Sequence, residues 1–154
     1  MTYQYQAKQL LTISCCIDDL SPELYPQVIE KLFSAGAADA WMVPIIMKKG
    51  RPGVKLEVLL AESVKQDVLK ILFTETTCLG VRISDVERVE LERRELSVDV
   101  LGFLVRIKVA YLPNGEVANY KPEFEDCKKL SLEKGITLKS AYLRVYENLS
   151  AIIS

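Results

Sequence analysis

Four short stretches of this chain concentrate side chains that can do chemistry. Asp18-Asp19 sets two carboxylates side by side where a strand meets a helix. Paired carboxylates can hold a divalent cation that also touches a triphosphate; they also simply solvate such a turn, which explains the dipeptide taken alone. Lys48-Lys49-Gly50-Arg51-Pro52-Gly53 packs two lysines, one arginine and two glycines into six residues. Lysine offers a point charge and arginine a two-pronged donor, and glycine lets backbone N–H groups approach closely. That set suits a polyphosphate, and a solvated basic hairpin loop accounts for it equally well. The glycine-to-lysine spacing is not that of the phosphate loop. Glu75-Thr76-Thr77-Cys78-Leu79-Gly80-Val81-Arg82 supplies hydroxyls for ribose or phosphate and an arginine for phosphate; helix-end chemistry with a surface arginine is the structural alternative. In Lys121-Pro122-Glu123-Phe124-Glu125-Asp126-Cys127, three carboxylates fall within one helical turn, where the helix N-terminus alone explains them.

Composition removes several function classes. The 154 residues contain no histidine, which excludes imidazole-based triads and histidine-ligated metal sites built from this chain alone. Twenty basic against 21 acidic residues give a formal charge of -1, with no overall pull toward nucleic acid or an anionic membrane. No apolar run approaches the roughly 20 residues of a membrane span, and the first residues do not read as a signal peptide. Cys15, Cys16, Cys78 and Cys127 form no C-x-x-C pair. Neighbours on a strand point to opposite faces, so Cys15 and Cys16 read as separate reduced thiols of a cytoplasmic protein.

The elements that must position these groups follow from periodicity. Lys8 to Ile17 reads as a buried strand. Ser21-Pro22 opens a helix with Ser as N-cap, Leu24, Val28 and Leu32 form its apolar stripe, and Gly36 stops it. Ala40 to Met47 is a second strand, edged or bulged at Pro44, and Val54 to Leu60 alternates as a third. A second helix is expected from about Ser63 to Phe73 and a fourth strand from Leu79. The order β-α-β-β-α-β is the split βαβ, ferredoxin-like arrangement. Beyond it, Val86 to Leu96 has strand character. Phe103 to Tyr111 pairs through an Asn114-Gly115 hairpin turn, and two helices follow, about Glu123–Lys134 and Leu138–Ile152. The expected fold class is α+β: one domain over 1–154, with a ferredoxin-like core of about 8–90 and a β-hairpin plus two-helix extension of about 91–154. Tyr25 and Trp41 are expected in the core or at an interface.

Taken in order across most of the chain, the four stretches resemble one family. They are Ile17–Tyr25, Pro44–Gly53, Glu75–Arg82 and Pro122–Cys127. The family is the nickel-insertion proteins of nickel-pincer cofactor synthesis, LarC. The resemblance implies the nucleotide-binding C-terminal part of a CTP-dependent cyclometallase, a lyase of the nickel chelatase type. Such an enzyme places nickel in pyridinium-3,5-bisthiocarboxylic acid mononucleotide for the cofactor of lactate racemase. It further implies CTP cleavage assisted by Mg²⁺ or Mn²⁺, nickel as the inserted metal, and a homo-oligomer. An N-terminal part of the insertase, rich in histidine, would complete it. Cys16 and Cys78 stand where the family usually has Asn and Thr; Cys16 is then either a nickel thiolate candidate or a buried core cysteine.

On this resemblance Asp18 or Asp19, with Glu125 or Asp126, would hold the cation. Lys48, Lys49, Arg51 and Arg82 would neutralise the triphosphate and the charge developed on cleavage. Glu75, Thr76 and Thr77 would complete the nucleotide site. Two readings from other classes stay open: a ferredoxin-like sensor that binds nucleotide without chemistry, and a purely structural oligomerisation domain.

Overall fold

The computed structural model describes residues 5–153, with side chains described for residues 5–149. Two compact units meet in sequence between Arg88 and Val89.

The first unit runs β1 (Ala7–Ile17), α1 (Tyr25–Ser34), β2 (Asp39–Ile46), β3 (Pro52–Leu60), α2 (Lys65–Glu75) and β4 (Arg82–Val89). Its sheet has the order β2-β3-β1-β4, the ferredoxin-like arrangement. β1 pairs antiparallel with β3, Cys15 opposite Leu56, and β2 pairs antiparallel with β3 at the edge. Side-chain contacts give the sense of the fourth strand. Gln9 reaches Glu87 and Cys16 meets Arg82, so partners fall along β4 as they rise along β1. Pro44 is tolerated because β2 has a free edge. Strand alternation sends Leu11, Ile13, Cys15 and Ile17 of β1 and Leu56, Val58 and Leu60 of β3 to one face. There Tyr25, Val28 and Leu32 of α1 and Val68 and Leu72 of α2 cover them. Each fully buried aliphatic side chain contributes roughly 1.5–3 kcal/mol. Trp41 lies outside this core, on the edge strand, where its Nε1–H donates to Glu57 at 3.0 Å.

Two local expectations change. Ser21 stands before the first turn but makes no capping hydrogen bond; Pro22–Leu24 is a 3₁₀ turn, and the α-helix begins at Tyr25. The Ser21 hydroxyl turns instead to Glu23, at 3.2 Å. Cys16 is half-buried on the face away from the helices, so the core-cysteine reading belongs to Cys15 and Cys78. Burial, reinforced by Cys78, pushes the Cys15 thiol up to about 12, which keeps it protonated and unreactive.

The second unit holds β5 (Glu92–Val100), β6 (Phe103–Tyr111), β7 (Val117–Pro122), α3 (Phe124–Lys134) and α4 (Leu138–Ile153). Its sheet is the antiparallel meander β5-β6-β7, one strand more than the expected hairpin. The strand expected over Val86–Leu96 is two: β4 ends at Val89 and β5 starts at Glu92. Leu101 and Gly102 turn the β5–β6 hairpin with φ of 58° and 77°. Leucine is a rare occupant of that left-handed position, so no turn signal marked it. The Asp99 side chain accepts from the Gly102 N–H at 3.0 Å and holds the turn. Asn114-Gly115 does turn β6 into β7, with Asn114 accepting from the Glu116 N–H at 3.1 Å. α3 packs on β6 and α4 on β5, burying Val98, Val100, Val105, Ile107, Leu130, Val145 and Leu149. Gly135 ends α3 in the left-handed conformation at φ 63°. Among the described residues no helix is long and apolar enough to cross a membrane.

Candidate functional site

In the first unit three chain segments converge beyond the end of β1. Asp18 and Asp19 leave β1; Asp19 is exposed and the Asp18 side chain is partly covered. The loop before β3 brings Arg51, whose Nη1 lies 3.3 Å from Asp18 Oδ2. The segment after α2 brings Thr77, whose hydroxyl donates to Asp19 Oδ1. At the start of β4, Arg82 points Nη1 at Cys16 Sγ, 3.6 Å away. Arg51 and Thr77 are thus tied to the adjacent Asp18 and Asp19, and Arg82 is tied to Cys16, two residues before Asp18.

The backbone explains why the basic loop sits there. Met47 N–H donates to Arg51 O at 2.8 Å and closes the loop. Between them Lys49 and Gly50 adopt φ of 63° and 71°, left-handed values that cost a lysine roughly 1–2 kcal/mol. Gly53 permits the approach of β3 to the end of β1: a Cβ there would lie 2.7 Å from Ile17 O and 2.8 Å from Met47 Sδ. Lys48 and Lys49 are exposed and have no acidic partner among the described residues. The cluster therefore offers four cations, Lys48, Lys49, Arg51 and Arg82, against the two carboxylates of Asp18 and Asp19.

Three of the remaining expected residues, Glu75, Thr76 and Asp126, make local contacts. Glu75 pairs with Lys31 at 2.6 Å, joining α2 to α1. The Thr76 hydroxyl donates to Leu72 O at 2.6 Å and accepts from the Cys78 N–H at 3.1 Å, closing the end of α2. Glu125 and Asp126 belong to the second unit. Glu125 is exposed, while Asp126 is buried and takes Arg106 Nε at 2.7 Å, Arg106 Nη2 at 2.9 Å and the Arg106 backbone N–H at 3.1 Å. The Arg106 hydrogen bonds hold the Asp126 carboxyl down at about 2. Both Asp126 oxygens are thus engaged in fastening α3 to β6. Arg106 was not visible as a partner in the sequence, because it lies 20 residues away on a strand that reads as ordinary alternation.

Among the described residues no three acidic or thiol side chains come together as a ready-made cage for a metal ion. Asp18 and Asp19 are hard oxygen donors of the kind a divalent ion takes, too few to hold one by themselves. Mg²⁺ and Mn²⁺ are commonly shared with a nucleotide.

The chain has relatives among known proteins. Residues 1–142 match the family model described as nickel insertion protein. The chain is 42% identical over 142 residues to the pyridinium-3,5-bisthiocarboxylic acid mononucleotide nickel insertion protein of Thermotoga petrophila, covering 92% of this chain and 36% of that one. It is 45% identical over 131 residues to the protein of the same name from Clostridium acetobutylicum, covering 85% and 31%. It thus spans about a third of the length of the curated relatives it matches. Among solved structures it resembles the apo C-terminal domain of a cyclometallase involved in synthesis of the NPN cofactor of lactate racemase. That match has a TM-score of 0.84 at 32% identity, with 94% of this chain and 99% of the other covered. A Methanopyrus kandleri protein follows at a TM-score of 0.65 and 25% identity, with 90% and 86% covered. The chain belongs to the nickel insertion protein family.

Proposed function

We propose that this chain is the nucleotide-binding part of a CTP-dependent nickel insertase acting on pyridinium-3,5-bisthiocarboxylic acid mononucleotide. The observation that supports it best is the meeting of Asp18, Asp19, Arg51, Thr77 and Arg82 at one end of the ferredoxin-like sheet. Asp18 or Asp19 would hold a Mg²⁺ or Mn²⁺ ion, which would supply charge neutralisation at the triphosphate. Arg51, released from Asp18, then turns its two-pronged donor to the nucleotide. Lys48, Lys49 and Arg82 add point and forked charge around a triphosphate carrying about four negative charges. Thr77 gives up Asp19 and hydrogen-bonds phosphate or ribose. Nickel is substrate in this scheme. With no histidine in its 154 residues, the chain relies for nickel delivery on the rest of the length its relatives have. The reading also includes self-association and a cytoplasmic setting.

Calorimetric titration of the chain with CTP and ATP, each with Mn²⁺, tests it. Saturable binding that prefers CTP is expected. Binding of CTP without turnover once the remaining insertase sequence is supplied would favour a sensor, and no nucleotide binding would leave an assembly role.

A further inference from the structure

The first unit buries two thiols side by side, and the nucleotide reading uses neither. Strand alternation turns Cys15 of β1 toward the helices. Cys78, on the segment between α2 and β4, packs into the same apolar core. The two side chains are hydrogen-bonded to each other. The Cys78 S–H points at Leu72 O, 3.5 Å away, so the Cys15 S–H is the donor and Cys78 Sγ the acceptor. Two sulfurs already in contact need little backbone movement to bond.

Their position gives such a bond a consequence. Cys78 follows Thr77, whose hydroxyl holds Asp19, and its N–H donates to Thr76 Oγ1 at 3.1 Å. Cys15 sits near the end of β1, from which Asp18 and Asp19 emerge. A crosslink between them fastens the Thr77 segment to the strand that carries both carboxylates. Cys16, next in sequence, faces the other side of the sheet beside Arg82. We propose that Cys15 and Cys78 are a redox-sensitive pair, closed to a disulfide by a hydroperoxide, that locks Thr77 onto Asp19 and weakens nucleotide binding.

Cys78 is the more exposed sulfur, 8% against 1%, and meets the oxidant first. Its sulfur takes one oxygen of hydrogen peroxide as a hydroxyl; the O–O bond breaks, a sulfenic acid forms and one water leaves. The Cys15 sulfur then attacks the Cys78 sulfur and the S–O bond breaks. The Cys15 proton passes to the departing hydroxyl and makes the second water. The two thiols have given up two electrons, and the peroxide has been reduced to two waters. Burial keeps Cys15 protonated, so it does not start the reaction; its S–H, already aimed at Cys78, brings the proton that the second step needs. The effect on nucleotide binding rests on the proposed function, and the disulfide does not.

The test treats the folded full chain with hydrogen peroxide and maps crosslinks by peptide mass spectrometry without reductant. A Cys15–Cys78 disulfide is expected, reversed by dithiothreitol, retained in Cys16→Ser and absent in Cys78→Thr. The crosslink closes a long loop, so oxidation should raise the melting midpoint of the wild type by about 10 °C and leave that of Cys78→Thr unmoved. The oxidised chain should bind CTP with Mn²⁺ about fivefold more weakly than the reduced one. Oxidation confined to Cys16, or a crosslink that forms only after unfolding in urea, would overturn the pair; the wild type alone decides this, whatever the stability of the variants. Equal CTP affinity in oxidised and reduced chains would overturn the lock. A reduced chain that binds no CTP sinks the proposed function and the lock with it, whereas the crosslink is decided by mapping alone.

Discussion

Asp18→Asn separates attraction for a metal from attraction for phosphate at the cluster. In the ligand-free chain Asp18 holds Arg51 at 3.3 Å, with the arginine side chain 60% and the aspartate 22% exposed. At that distance a pair of unit charges interacts by about 1 kcal/mol in bulk water and more where solvent is partly excluded. Exposed pairs measured by mutation fall near 0.2–1 kcal/mol. Removing the carboxylate charge therefore frees Arg51 and removes a repulsion toward triphosphate at once, together worth about 1 kcal/mol, or roughly fivefold. The same change deletes a hard oxygen ligand. Titration of wild type and Asp18→Asn with CTP, in EDTA and in Mn²⁺, should give two opposite results. The variant binds metal-free CTP about fivefold more tightly, and its gain on adding Mn²⁺ collapses. If Asp18→Asn loses affinity equally with and without metal, the carboxylate does not act as a switch between arginine and cation, and the reasoning fails.

Three further outcomes follow from named contacts. Gly53→Ala puts a methyl group 2.7 Å from a backbone oxygen of β1, so it should destabilise the first unit by roughly 1–3 kcal/mol and loosen the basic loop, read by urea denaturation and CTP titration. Lys49→Gly relieves a left-handed lysine at φ 63°; it should raise the urea midpoint slightly while weakening triphosphate binding, and a loss of both would tie the side chain to the fold. Asp126 has a folded pKa lowered from 3.8 to about 2, so its contribution is present above pH 4 and is lost as pH falls toward 2. Screening by solvent at the half-exposed Arg106 brings that contribution to roughly 1–2 kcal/mol. Asp126→Asn should lower stability by about that much at pH 7 and flatten the acid dependence between pH 4 and 2.

The fold of the first unit could be read in the sequence because its strands and helices are periodic. Leu56, Val58 and Leu60 alternate, and Val28 and Leu32 fall one helical turn apart. The fifth strand was read only as far as Leu96 and fused with the fourth, because its turn uses Leu101 in a conformation that leucine rarely adopts. Its residues Glu92 to Glu95 are all exposed. The candidate site was legible as residue types at loop ends, and its basic loop and Asp18-Asp19 do meet. What joins them was not. Arg51 reaches Asp18 across 33 positions and Thr77 reaches Asp19 across 58, distances that local spacing does not encode. Glu75 and Thr76 looked like ligand groups because carboxylates and hydroxyls at a helix end carry the same signal whether they serve a nucleotide or the helix itself.

The most direct test of the central claim is calorimetry of the purified chain with Mn²⁺, titrated by CTP and by ATP. The account predicts saturable CTP binding, weaker ATP binding, and loss of CTP affinity of about tenfold in Arg51→Ala while circular dichroism stays unchanged. Absence of nucleotide binding by a folded wild-type chain would contradict it.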